Sequence, residues 1–67
     1  MTKKVYSIKN NVLIFILKDN IFYNNNNENV MFFMNNILHS SYNNSFKGFI
    51  KNDLLFDSNN ICIAYCI

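Results

Sequence analysis

Proline, tryptophan, arginine and glutamine are missing from this 67-residue sequence, and glycine occurs once, at Gly48. A single glycine rules out a glycine-rich loop that cradles phosphate through its backbone. Without arginine there is no planar guanidinium to grip a carboxylate or phosphate in bidentate fashion. Charge is also scarce. Six lysines face four acidic residues, a net of +2 with His39 neutral, and domains held on nucleic acid mainly by charge carry a denser basic patch.

Long apolar runs are lacking too. The longest unbroken stretch near the N-terminus, Val12 to Leu17, has six residues, against roughly 18–20 for a bilayer-crossing helix. Lys3-Lys4 ahead of that stretch has the outline of a secretory signal. Asn10-Asn11 interrupts it, however, and Lys18-Asp19 stands where small residues would be needed. The sequon Asn43-Asn44-Ser45 is expected by chance in a chain this rich in asparagine. Cys62 and Cys66 are four residues apart. In a strand that places them about 13 Å apart on one face, beyond disulfide reach. The expectation is a reducing, cytoplasmic setting without membrane insertion.

What the chain has instead is asparagine (15 residues), isoleucine (nine), phenylalanine (seven), lysine (six) and tyrosine (four). These are residues of A/T-rich codons, and the bias describes the genome more than the protein.

At this length the chain is one domain, residues 1–67, with a modest core. Residues 4–10 alternate in polarity, Asn10-Asn11 suits a tight turn, and Val12 to Leu17 follows as a second strand. Ile21-Phe22-Tyr23 is either a short extra strand or an anchor. From about Asn26 to His39, Val30, Met31, Phe33, Met34, Ile37 and Leu38 fall on one arc at 100° per residue. That spacing predicts an amphipathic helix, capped by Asn25 and Glu28. Strands are expected at 46–51, 54–56 and 61–67, with turns at Asn52-Asp53 and 57–60. No internal repeat is apparent. The predicted fold is α+β, a small antiparallel sheet of four to five strands with one helix packed on one face, in the order β-β-α-β-β-β.

Such a sheet leaves one face without a roof. Strand two is apolar on both sides, so either Val12, Ile14 and Ile16 or Leu13, Phe15 and Leu17 would lie uncovered. An apolar patch of that size marks a partner surface. Leu13, Phe15 and Leu17 are therefore candidate partner-binding residues, joined by Phe32, Asn36 and His39 on the outer side of the expected helix. Lys3, Lys4, Lys9, Lys47 and Lys51 are candidates for contact with an RNA backbone, provided that the first strand and the 46–51 strand are close.

Catalytic chemistry is not indicated. His39 is the sole histidine, no third group orients a Cys–His pair, and Asp19, Asp53 and Asp57 sit at turns, where aspartate bonds its own backbone. A zinc site of His39, Cys62 and Cys66 lacks a fourth ligand. No metal and no cofactor is expected. The expected role is a non-catalytic accessory subunit of a large assembly, with a ribonucleoprotein such as the ribosome as the host. It would seat on protein through its apolar sheet face, with lysines toward RNA. The alternatives are a small viral-type inhibitor that blocks a protein partner, and a homodimeric binding module.

Overall fold

The computed structural model describes all residues from Met1 to Ile67. It contains no helix. Eight antiparallel strands follow one another around a closed barrel. They are β1 (Thr2–Ser7), β2 (Leu13–Lys18), β3 (Ile21–Tyr23), β4 (Asn29–Met34), β5 (Ile37–Ser40), β6 (Phe46–Lys51), β7 (Leu54–Asp57) and β8 (Cys62–Cys66). The last strand pairs with the first, Val5 opposite Cys66 and Tyr6 opposite Tyr65. Lys4 and Ile67 exchange both backbone hydrogen bonds at 2.8 and 2.9 Å, which closes the ring.

The expected α+β fold is thus overturned, and the reason lies in residues 26–39. Asn35 and Asn36 both take left-handed backbone angles, φ 55° and 67°, and turn β4 back onto β5 with Met34 opposite Ile37. Two consecutive residues at positive φ make the tight hairpin turn whose twist matches its strands. The helical arc was an accident of composition. Both strands are apolar on both faces, so residues picked at 100° intervals are apolar as well. Asn25 and Glu28 cap no helix. Asn24 Oδ1 accepts the N–H groups of Asn26 and Glu28 at 2.9 and 3.0 Å, folding a hairpin loop. Asn10-Asn11 lies within a longer loop, with Ser7 N–H donating to the carbonyl of Val12. The strand expected at 46–51 is β6, Asn52-Asp53 is a tight turn, and Ile21-Phe22-Tyr23 is a strand in its own right.

The barrel is built from a repeat that the residues barely show. Four loops crown one end, and each starts at a short polar residue: Ser7, Asn24, Ser40 and Asp57. Every one of these side chains accepts a hydrogen bond from the N–H two residues on, at 2.9–3.2 Å. Near the end of each loop an asparagine with φ between 57° and 65° (Asn11, Asn27, Asn44, Asn60) donates its N–H back to the carbonyl of the starting residue. The loops alternate in length. Those from Ser7 to Val12 and from Ser40 to Ser45 are one residue longer than Asn24 to Glu28 and Asp57 to Ile61. The true period is therefore 33 residues, two hairpins per half. Only seven of the 34 superposed pairs are identical, namely Met1/Met34, Ser7/Ser40, Asn10/Asn43, Asn11/Asn44, Lys18/Lys51, Asn26/Asn59 and Asn27/Asn60.

Inward-facing side chains stack in layers of four from alternate strands, as an eight-stranded barrel just wide enough for side chains requires. Val5, Phe22, Leu38 and Leu55, each at most 1% exposed, form the middle layer. Leu17, Phe33, Ile50 and Cys66 lie below, at the end of the tight turns. Above are Phe15, Met31, Gly48 and Ala64, where two large side chains from the first half meet two small residues from the second. This complementarity keeps the interior filled. Gly48 has a further constraint. A Cβ there would lie 2.0 Å from the carbonyl oxygen of Phe56, and its φ of +150° disfavours any side chain.

Candidate functional site

Closure of the sheet answers the question of the missing roof. One face of every strand is sealed by the barrel itself, and the other faces out. Leu17 is buried, and Phe15 packs against the core. The structure thus puts both on the inner wall, and Leu13 stands half-buried at the bulged start of β2. Ile16 faces out from β2 and the half-exposed Val12 just precedes the strand, whereas Ile14, at the bulge, packs against the core with Phe15.

Outward-facing residues form a belt around the barrel. Its members come in cross-strand pairs: Tyr6–Tyr65, Ile16–Tyr23, Phe32–His39 and Phe49–Phe56. All eight are half-buried. The pairs occupy equivalent positions of the repeat, and seven of the eight rings or side chains are aromatic or imidazole. Such cross-strand pairs stabilise a sheet by about 0.2–1 kcal/mol each. An apolar exterior is also what a membrane barrel has. These strands, however, have three to six residues, short of the roughly nine to eleven of a bilayer-crossing strand.

Within the belt the pairs differ. Tyr6 stacks on Tyr65 at 5.6 Å between ring centroids, and Phe32 stacks on His39 at 5.1 Å. Phe49 meets the edge of Phe46. Tyr23 and Phe56 stack on no other ring. Each of these two lines a surface groove. One groove, about 790 Å³, is formed by Phe49, Ile50, Phe56, Lys51, Asn36, Ser58, Asn59 and Asn60. The other, about 260 Å³, is formed by Ile16, Tyr23, Lys18, Asn24, Asn25 and Asn27. They are the same groove in the two halves of the molecule, since 33 residues separate Ile16 from Phe49, Lys18 from Lys51, Tyr23 from Phe56, and Asn27 from Asn60. No carboxylate residue lines either one. The sequence offered a signal for them: Lys18/Lys51 is, with Met1/Met34, one of two identical pairs outside the crown loops.

The remaining candidates are dispersed. Phe32 and His39 are together, on the outside of adjacent strands, whereas Asn36 is in the tight turn below them and lines the larger groove. Lys4 is on β1 and Lys47 on β6, with β7 and β8 between these strands, so the proximity required for one lysine surface is not present. Lys9 sits in the first crown loop, and Lys51 ends β6. Lys3 donates to Asp53 at 2.6 Å across the seam, and this bond holds its pKa above the ordinary 10.5. Cys66 is inside the barrel, where burial pushes its thiol above the usual 9.0. His39 is outside, so the barrel wall separates it from Cys66. No three His, Cys, Asp or Glu side chains converge anywhere.

No protein-family model matches this chain, and no curated protein or solved structure matches it.

Proposed function

We propose that this protein is a non-catalytic binding module, a small subunit that seats in a larger assembly through the outer face of its barrel. The observation carrying this reading is the part of the belt formed by β3, β4 and β5. From Ile21 to Ser40 the only charged residue is Glu28, in a crown loop. Ile21, Phe32 and His39 lie side by side across three strands, with Met34 opposite Ile37 beneath them. Met34 is 57% exposed. A contiguous apolar surface on so small a protein marks a contact with another protein, and aromatic side chains supply most of the energy of such contacts. The closed ring adds rigidity, because no strand edge is free to pair with other chains.

The test is recovery of partners from native extract by tagged wild-type protein and by Phe32→Ser, with RNase-treated controls. Phe32 is outside the core, so the variant keeps the far-UV circular dichroism of the wild type. A partner retained by the wild type through RNase treatment and raised salt, and lost from the variant, supports the reading. Identical recoveries from the two proteins overturn it.

A further inference from the structure

The two grooves containing Lys18 and Lys51 face a different chemistry from the uncharged part of the belt. We propose that they are paired subsites for single-stranded nucleic acid, each taking one nucleobase on an unstacked ring and one phosphate on a lysine.

Three features of the grooves converge on that ligand. The floor carries a ring that stacks on no other, Phe56 (beside its cross-strand partner Phe49) in one and Tyr23 in the other, whereas their repeat equivalents Tyr6 and His39 are stacked on Tyr65 and Phe32. A free ring face at a half-exposed position is a stacking platform for any base. A lysine stands at one side, Lys51 or Lys18, with no carboxylate in the lining to neutralise it, which favours an anionic group. The crown loop supplies side-chain amides at the other side, Asn59 and Asn60 or Asn25 and Asn27. Amides carry both donors and acceptors and match the edges of an unpaired base. An acidic peptide would satisfy the lysine and leave ring and amides unused.

The repeat provides an internal control. At the two other belt pairs the position of Lys18 and Lys51 is taken by Met34 and Ile67. The crown loops there are the longer ones, and in one of them Asn11 is already engaged by the hydroxyl of Tyr65 at 3.1 Å. Platform, cation and free amides coincide at β2–β3 and β6–β7 only. Two strands separate these hairpins on either side of the ring, so the subsites are diametrically opposed. A short strand fills one at a time, and the barrel holds two.

The proposal is tested by titrating ¹⁵N-labelled protein with a four-residue oligouridylate and following backbone amide shifts, with Lys51→Gln, Lys18→Gln and Phe32→Ser in parallel. Shifts are expected in the loops 24–28 and 57–61, and not in the loops 7–12 and 40–45. Lys51→Gln weakens binding at loop 57–61 by five-fold or more and leaves loop 24–28 unchanged, Lys18→Gln does the reverse, and Lys51→Arg restores binding. Phe32→Ser leaves both sites intact, so failure of the protein-docking reading and failure of this one are separable. Absence of shifts, equal shifts in all four loops, or the same pattern with a polyglutamate peptide overturns the proposal.

Discussion

Tyr6 and Tyr65, 59 positions apart in the chain, stack with ring centroids 5.6 Å apart and planes 20° from parallel. They cover the seam where β8 meets β1, the one hairpin of the ring with chain ends in place of a turn. The seam has no covalent connection to hold its register, so side chains carry more of that work there than at the other three equivalent positions. Tyr65→Ala removes the stack and part of its buried area, an expected loss of roughly 2 kcal/mol. Tyr65→Phe keeps the ring and gives up only the bond to Asn11, an exposed hydrogen bond with a net value of about 0.5–1 kcal/mol. Urea denaturation of the two variants gives both numbers. Equal losses would mean that the hydroxyl, and not the stack, holds the seam.

Gly48 is the position least open to substitution. A methyl group there would meet the Phe56 carbonyl oxygen at 2.0 Å, and that neighbour is backbone within the β6–β7 ladder. Relief requires the two strands to separate. Gly48→Ala is expected to cost roughly 3 kcal/mol, overpacking and backbone strain combined. For so small a domain that is a large share of the total. Thermal unfolding followed by circular dichroism should show a Tm lower by 10 °C or more.

The tight turn Asn35-Asn36 offers the opposite effect. Both residues are left-handed, a geometry that asparagine tolerates and glycine prefers at the second position. Asn36→Gly should raise stability by several tenths of a kcal/mol, and Asn36→Val should lower it by about 1–2 kcal/mol. The measurement bears on the fold itself. If 26–39 were a helix, glycine at its middle would destabilise and the order of the two variants would reverse.

These turns also show how much of the architecture could be read from the residues. The strand at 46–51, the Asn52-Asp53 turn and the C-terminal strand were legible because polarity alternates or turn residues flank a β-rich run. Asn35-Asn36 carries the same turn signal, but Val30 to Leu38 also satisfies helical spacing, and hydrophobic period cannot separate the two when a strand is greasy on both faces. The 33-residue repeat was hidden for another reason. It is conserved as conformation: Ser, Asn or Asp serves equally as the loop-starting acceptor, and Val5, Phe22, Leu38 and Leu55 fill one layer with different volumes. Of the candidate site, Phe32, His39 and Lys51 fell on the outer surface, whereas Phe15 and Leu17 went inside. Which face of β2 turns inward depends on closure of the ring, a property of all eight strands together.

Closure also decides the response to alkali, through two groups at the same end of the barrel. Cys66 is 4% exposed, and its thiol is held above 9.0 by burial. Folded protein therefore keeps a proton that the unfolded chain releases from about pH 9 upward, and stability declines as pH rises from there through the folded value. Lys3, raised above 10.5 by Asp53, adds a second decline with the same sign. Its contribution is complete below 10.5 and disappears as pH climbs through the higher folded value. Urea midpoints should accordingly be flat up to pH 8.5 and fall beyond it, and Lys3→Met should flatten only the portion above pH 10.5. The same burial governs thiol reactivity, since the thiolate is the nucleophile. Iodoacetamide at pH 8 should label the half-buried Cys62 well before Cys66, with Cys66 labelled at the rate of global unfolding. Equal labelling by mass spectrometry would place Cys66 on the outside of β8 and would contradict the closed barrel.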